Sequence, residues 1–217
     1  MKKLVIFDLD GTLINTITDL ALSTNHALEQ NNFPTHPIEA YNYFVGNGIN
    51  KLFERALPEG QKTEENIHQI KKSFLEHYEI HGNDHSAPYP GIVKLLEALQ
   101  DKGILLAVAS NKYNKATQRL VPHYFPTIRF AEILGQRDSI PPKPDPTIVF
   151  DILKTTGKNK EETLYVGDTN VDMQTAISSE VTACGVTWGF RPRAELESFH
   201  PNYIIDNPEE ILSIIEK

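Results

Sequence analysis

The spacing of apolar and polar positions changes along the chain, and this change predicts an α/β protein interrupted by a helical segment. Leu4–Phe7 is a continuous apolar run rich in β-branched and aromatic residues, which predicts a strand buried on both faces of a parallel sheet. From Asn15 to about His85 the apolar positions recur at helical spacing. After Gly91, helical patterns alternate with short apolar runs at Ile104–Ala109, Ala131–Leu134, Thr163–Val166, Thr182–Val186 and Tyr203–Ile205. We therefore expect a parallel α/β core formed by residues 1–14 and 86–217, and a helical domain formed by residues 15–85.

The helical domain is predicted to be a small bundle. We expect Thr18 or Asp19 to cap its first helix, and a short helix to follow Pro37. The last helix is expected to start near Thr63 and to stop at Gly82. Its inward positions are predicted to include Ile67, Ile70, Phe74, Leu75 and Tyr78, and those of the first core helix Val93, Leu96 and Leu99.

Two carboxylates end the first strand. Asp8 and Asp10 follow it directly, at the edge of an open α/β sheet where ligands bind, and both point to one side of the chain. Two acids this close repel, so either one is protonated or a cation lies between them. The ionised acid could attack phosphorus while its neighbour moves a proton to the leaving oxygen and later takes one from water. An Asx turn in which Asp10 only caps a helix is the competing interpretation.

Polar residues also follow two later strands. Ser110-Asn111-Lys112 ends the second, and Asp168 ends a third, with Asp172 one helical turn beyond it. Lys143 lies among four prolines between Ile140 and Pro146, which would hold its backbone stiffly. Each residue has a plain structural alternative: Asp168 as a helix N-cap, and Lys143 as a surface residue at a helix entry.

Composition narrows the possible functions. The 217 residues carry a net charge of −8 without a cluster of Lys and Arg, which argues against a nucleic-acid partner. No apolar run is long enough to span a bilayer, so no membrane partner is expected. The single Cys184 excludes an internal disulfide and suits a reducing compartment. We expect a cytoplasmic protein, and either a monomer or a homodimer fits the sequence.

Three histidines, His77, His81 and His85, are spaced by four and could hold a metal on one helix face. Gly82 is expected to end the helix before His85, so solvated surface histidines are the preferred interpretation.

Together these segments resemble the four motifs of the haloacid dehalogenase-like hydrolases, in family order. The first motif is matched by Asp8-Leu9-Asp10-Gly11-Thr12, the second by Ser110-Asn111, the third by Lys143, and the fourth by Gly167-Asp168 with Asp172. The helical insertion is similar to the C1 cap of that family. Val45–Gly48 and Gly185–Arg191 resemble the phosphoglycolate phosphatase branch. The resemblance implies a Rossmann-like core with an inserted cap that closes during the reaction.

The resemblance also implies a mechanism. Asp8 would form an aspartyl-phosphate, and Asp10 would act as acid and then as base. Mg²⁺ would be held by Asp8, by the backbone carbonyl of Asp10 and by Asp168, with Asp172 behind them. The residues implied to stabilise the substrate phosphate are Thr12, Ser110, Asn111 and Lys143.

The implied substrate is a small phosphorylated metabolite, with 2-phosphoglycolate as the leading candidate. Its carboxylate would be bound in the cap by Gly46, Asn47, Gly48, Lys51 and Arg55. Three alternatives are a broad sugar-phosphate phosphatase, a β-phosphoglucomutase-like phosphomutase, and a phospho-acceptor without turnover. Many relatives carry an acid where this chain has Asn15-Thr16, so no role is assigned to Asn15.

Overall fold

The computed structural model describes residues 1–217, which form two compact units. The core unit is Met1–Ile14 with Pro88–Lys217, and the helical unit is Asn15–Ala87. The strands are β1 Leu4–Phe7, β2 Ile14–Asn15, β3 Ala87–Pro88, β4 Leu105–Tyr113, β5 Phe130–Gln136, β6 Thr163–Gly167, β7 Thr182–Val186 and β8 Tyr203–Ile205. The helices are α1 Ile17–Gln30, α2 Tyr41–Phe44, α3 Ile49–Ala56, α4 Glu64–His81, α5 Ile92–Asp101, α6 Asn114–Tyr124, α7 Thr147–Thr156, α8 Asn170–Ser179, α9 Arg193–Glu197 and α10 Glu210–Ile214, with a 3₁₀ turn at Ile38–Ala40.

A six-stranded parallel sheet is the centre of the core unit, and it confirms the predicted α/β fold class. Its strand order is β5-β4-β1-β6-β7-β8, while β2 and β3 form a separate two-stranded sheet. In the central register Phe7 lies opposite Val108 on β4 and Val166 on β6. The residues that follow Phe7, Val108 and Val166 therefore lie at one level of the same edge.

Helices cover both faces of this sheet, which explains why β1 is apolar at every position. Val5 and Phe7 pack into the cluster that includes α5 and α10, whereas Leu4 and Ile6 pack into the cluster that includes α7 and α8. All four side chains are fully buried. A strand buried on both faces loses the usual alternation of apolar and polar residues.

The helical unit is built on α1 and α4, which pack against each other. The ring centroid of Phe74 lies 5.2 Å from that of Phe53 and 5.0 Å from that of Tyr78. The helix α4 starts next to Thr63, as predicted, and the Thr63 side chain caps it by accepting a hydrogen bond from the Asn66 N–H.

The predicted cap of the first helix is wrong. The helix begins at Ile17, so Thr18 and Asp19 both lie inside its first turn. The Asp19 carboxylate instead accepts hydrogen bonds from the N–H groups of His85 and Ser86. A buried carboxylate needs such donors, and these are supplied by a segment 66 and 67 residues away along the chain.

Two positions predicted to face inward are exposed instead. Val93 is 38% exposed because α5 buries Ile92, Leu95, Leu96 and Leu99. Leu75 is 43% exposed because its neighbour Phe74 fills the interior. The stripes themselves lie where they were predicted, because Leu96, Leu99, Phe74 and Tyr78 are buried. Only one predicted position in each helix is exposed. Separately, no helix combines the length and apolar character required to cross a membrane.

Candidate active site

Three neighbouring strands bring the strand-end polar residues together. Asp8 follows β1 and Asp168 follows β6, while Ser110 lies near the end of β4. The parallel register described above places these residues at one edge of the sheet. Lys143 is supplied by the proline-rich segment before α7.

Three buried carboxylates form a compact group at this edge. Asp8, Asp168 and Asp172 each offer an oxygen, and these oxygens all lie within 4.8 Å of one another. Burial raises the pKa of Asp8 to about 7, opposed by Lys143 and assisted by the charges of Asp172 and Asp10. Burial, Asp172 and Asp8 likewise raise the pKa of Asp168 well above its usual value. The group therefore carries an excess of negative charge and hard oxygen donors, a set that suits a divalent cation.

Lys143 neutralises part of that charge from within the core. Its Nζ lies 2.9 Å from Oδ1 of Asp8, 2.7 Å from Oδ1 of Asp172 and 2.9 Å from the Tyr165 hydroxyl. Burial alone would lower the pKa of this ammonium, but the two carboxylates raise it well above its usual value. With 3% of the residue exposed, the alternative of a surface lysine is excluded.

Asp172 uses both of its oxygens to hold this arrangement. Its Oδ1 accepts from Lys143 and from the Tyr165 hydroxyl, at 2.7 and 3.2 Å. Its Oδ2 accepts from the N–H and the hydroxyl of Thr169, at 3.1 and 2.7 Å, in a capping box at the start of α8. The N-cap residue is thus Thr169, not Asp168. Asp172 fixes the lysine and the helix start at once.

Asp168 is held by donors from two distant segments. Its Oδ1 accepts from the Thr12 hydroxyl at 2.9 Å, and its Oδ2 accepts from the Phe190 N–H at 2.8 Å. Two glycines make room for it. A Cβ on Gly11, whose φ is +92°, would lie 2.3 Å from Oδ2 of Asp168, and one on Gly189 would lie 2.2 Å from its Cβ. No other residue fits at these positions unless the carboxylate moves.

Asn111 acts on the backbone of Lys143. Its Nδ2 donates to the Lys143 carbonyl at 3.0 Å, and its Oδ1 accepts from the Lys143 N–H at 2.8 Å. The amide nitrogen and the amide oxygen of Asn111 thus both fix the backbone of Lys143, the candidate catalytic lysine. The neighbouring Ser110 hydroxyl accepts from the Lys112 N–H at 3.2 Å.

Lys112 is the residue that sequence reasoning missed. Its Nζ lies 3.1 and 3.2 Å from the two carboxylate oxygens of Asp10, and its side chain is only 7% exposed. The signal was its position directly after Ser110-Asn111 at a strand end. The carboxylate of Asp10 therefore faces a lysine. Together, the two lysines and one divalent cation would balance the charges of the four aspartates.

The predicted substrate-binding residues of the helical unit are engaged within that unit. Lys51 pairs with Glu54 at 2.6 Å. Arg55 donates to two backbone carbonyls of α2 and, at 2.7 Å, to Oδ1 of Asn47. Arg55 thereby fixes the loop formed by residues 46–48. Their contact with a substrate stays a prediction.

Comparison with known proteins agrees with this site. The family model described as haloacid dehalogenase-like hydrolase matches residues 5–186. The phosphoglycolate phosphatase of Mannheimia succiniciproducens is 33% identical, over 98% of this chain and 98% of its own length. That of Pasteurella multocida is also 33% identical, over 99% and 98%.

A solved structure has the same fold as this chain over nearly its whole length. The crystal structure of a predicted phosphoglycolate phosphatase from Haemophilus somnus 129PT superposes with a TM-score of 0.91 at 33% identity, covering 98% of this chain and 97% of that one. Since the family model spans most of the chain and these relatives align over nearly all of it, the chain belongs to the haloacid dehalogenase-like hydrolases.

Proposed function

We propose that this phosphatase hydrolyses 2-phosphoglycolate to glycolate and phosphate, with Mg²⁺, through an aspartyl-phosphate on Asp8. The observation that carries the proposal is the Asp8 carboxylate, which ends β1 beside Asp168 and 2.9 Å from the buried Lys143. An ionised carboxylate held next to fixed positive charge is suited to attack a phosphoryl group. The substrate is suggested by relatives that align over their full length and carry the name phosphoglycolate phosphatase.

In the first step an oxygen of Asp8 forms a bond to phosphorus, and the bond from phosphorus to the glycolate oxygen breaks. The electron pair of that bond stays on the glycolate oxygen. Lys143 offsets the charge on the transferring group, because its Nζ already lies at Oδ1 of the nucleophile. Mg²⁺, held by the carboxylates of Asp8 and Asp168 and the carbonyl of Asp10, would supply further positive charge beside the phosphoryl oxygens.

Asp10 is the proposed proton carrier. It gives a proton to the departing glycolate oxygen and then takes one from the water that attacks phosphorus, which releases phosphate and restores Asp8. The carboxylate of Asp10 is bound by Lys112. Because a protonated acid cannot keep a full ion pair, the proposal requires Lys112 to loosen its hold when substrate binds.

The remaining predicted phosphate-binding residues divide into two groups. Ser110 stays a proposed direct ligand of the phosphate. Thr12 and Asn111 are proposed to act chiefly through their partners, because the Thr12 hydroxyl holds Asp168 and the Asn111 amide holds Lys143.

Phosphate release by purified protein tests the proposal. Wild type and Asp8→Asn are compared with Mg²⁺ and with EDTA, over a panel of 2-phosphoglycolate, sugar phosphates and nucleotides. Asp151→Asn is the matched control, because Asp151 is a half-exposed carboxylate that pairs with Arg137. We expect release from wild type and the control only with Mg²⁺, none from Asp8→Asn, and the highest kcat/KM for 2-phosphoglycolate.

Each other outcome has a definite meaning. Equal, low activity over the whole panel would refute the named substrate and favour a broad sugar-phosphate phosphatase. Isomerisation of a sugar phosphate would indicate a phosphomutase. A wild-type protein that becomes phosphorylated on Asp8 without releasing phosphate would be a phospho-acceptor. Full activity of Asp8→Asn would refute the mechanism.

A further inference from the structure

A pocket of about 450 Å³ opens on the helical unit, and none of the residues that line it belongs to the aspartate group. Ten residues line it, and they include four of the eight histidines of the chain. The imidazoles are those of His26, His77, His81 and His85, and the carboxylates are those of Asp19, Glu29 and Asp84. We call this set the histidine pocket.

Three of its imidazoles lie side by side. The ring of His77 is stacked on that of His26, with centroids 4.2 Å apart, and its other neighbour is His81, with centroids 4.4 Å apart. His77 and His81 are one turn apart on α4, a spacing at which two side chains can reach one ion. His26 comes from α1, which packs against α4.

Hydrogen bonds orient two of these rings. Nδ1 of His81 contacts Oδ2 of Asp84 at 2.8 Å, and Nδ1 of His77 contacts the Ser23 hydroxyl at 3.0 Å. Each contact engages Nδ1, so a metal ion would be bound through Nε2. A carboxylate behind a histidine is the arrangement that orients the ring and increases its basicity in metal sites.

The electrical surroundings favour a cation. Burial, with the neighbouring His26 and His81, lowers the pKa of His77, the direction expected for an imidazole crowded by two others. The pocket also carries carboxylates, which attract divalent ions. In the aspartate group three donor atoms lie within 4.8 Å of one another, whereas no three donor atoms of the histidine pocket do. Metal binding in the pocket therefore requires side-chain rotation. The His81 side chain is 47% exposed, so its ring has room to turn toward a shared ion about its contact with Asp84.

We propose that the histidine pocket binds a divalent transition-metal ion such as Zn²⁺ or Ni²⁺ through His77 and His81, with His26 as a third ligand. Nitrogen donors distinguish this site from the all-oxygen aspartate group, which suits Mg²⁺. The expected order of affinity is Cu²⁺ above Ni²⁺ and Zn²⁺, with Mg²⁺ bound negligibly. Binding requires Nε2 atoms to converge at about 2.0–2.1 Å from zinc.

Isothermal titration of the intact protein with Zn²⁺ tests this site while an excess of Mg²⁺ occupies the aspartate group. The variants are His77→Gln, His81→Gln and Asp84→Asn, and His68→Gln is the matched control because His68 is an exposed histidine of the same helix that does not line the pocket. We expect one saturable site in wild type and in His68→Gln, and its loss in His77→Gln and His81→Gln. Asp84→Asn should bind about tenfold to a hundredfold more weakly.

Thermal unfolding provides a second measurement on the same samples. Zn²⁺ should raise the unfolding midpoint of wild type and of His68→Gln but not that of His81→Gln, because only a folded pocket brings the ligands together. Metal-free His81→Gln should unfold at the wild-type temperature, since this side chain is half exposed. Undiminished saturable binding by both His77→Gln and His81→Gln, or no saturable binding by wild type, would overturn the proposal.

Discussion

Replacing Lys143 by Met gives a direct test of the buried charges at the active site. Met keeps most of the apolar length of the side chain but removes the ammonium that contacts Asp8 and Asp172 at 2.9 and 2.7 Å. The buried carboxylates of Asp8 and Asp172 would then lose the positive charge that they share. Breaking a buried ion pair on one side costs about 3–5 kcal/mol of stability. In a chain of this size each kcal/mol lowers the unfolding midpoint by about 2–4 °C, so we expect a decrease of about 6–20 °C.

The measurement is thermal unfolding in EDTA at pH 8, which is above the pKa of about 7 that Asp8 has in the folded protein. Lys102→Met is the matched control, because Lys102 pairs with Glu216 at 3.2 Å and both side chains are about half exposed. An exposed pair contributes about 0–1 kcal/mol, so the control should lose at most about 4 °C. Added Mg²⁺ should recover part of the loss in Lys143→Met, because the cation replaces the missing positive charge.

Equal midpoints for Lys143→Met and Lys102→Met would refute the reasoning, since the buried carboxylates would then not need the lysine. A decrease that Mg²⁺ deepens would refute the assignment of the cation to this group. The variant should also lose phosphatase activity, which is measured at a temperature where it remains folded.

Three further predictions concern the same site. Lys112→Met should lower kcat/KM for alkyl phosphates by more than tenfold. The loss should be much smaller for p-nitrophenyl phosphate, because its good leaving group needs little protonation by Asp10. Equal losses for the two substrates would contradict a role of Lys112 through Asp10. Gly189→Ala should weaken Mg²⁺ binding and activity because its Cβ would lie 2.2 Å from the Cβ of Asp168, and an unchanged Mg²⁺ titration would contradict this. The pKa of Asp8 is raised from 3.8 to about 7, so between these two pH values the folded state holds a proton that the unfolded state has lost. The metal-free protein should therefore lose stability as the pH rises through this interval to about 7. Denaturant unfolding in EDTA between pH 5 and 8 checks the sign, and a gain in stability over this interval would refute it.

The fold class could be predicted because buried parallel strands have a clear pattern. Leu4–Phe7 and Thr163–Gly167 are mostly apolar, and both prove to be central strands that are buried at every position. Helix faces were less certain, as the exposed side chains of Val93 and Leu75 illustrate. Two adjacent apolar residues at the edge of a helical stripe fit the 3.6-residue period almost equally well, so the sequence alone does not fix which of the two is buried.

The strand-end acids could be located in advance, but their supporting residues could not. Asp8 and Asp168 end predicted strands, and parallel pairing brings such ends together. The partners Lys112 and Asn111 act on residues 102 and 32 positions away, through contacts that no local pattern encodes. A residue that holds another residue has no signature of its own until the fold places the two side by side.

The segment Gly185–Arg191 shows that a motif visible in the sequence can have a supporting role that only the structure reveals. Its sequence resembled a subfamily motif, for which substrate recognition would be an obvious explanation. In the structure the Phe190 N–H holds Asp168, Gly189 leaves the space that this carboxylate occupies, and the Trp188 Nε1–H donates to the Thr12 carbonyl at 3.1 Å. These contacts all fix the carboxylate group and the loop after β1. The motif is therefore explained by its support of Asp168, the proposed cation ligand, and changes in it should alter Mg²⁺ affinity before they alter the choice of substrate.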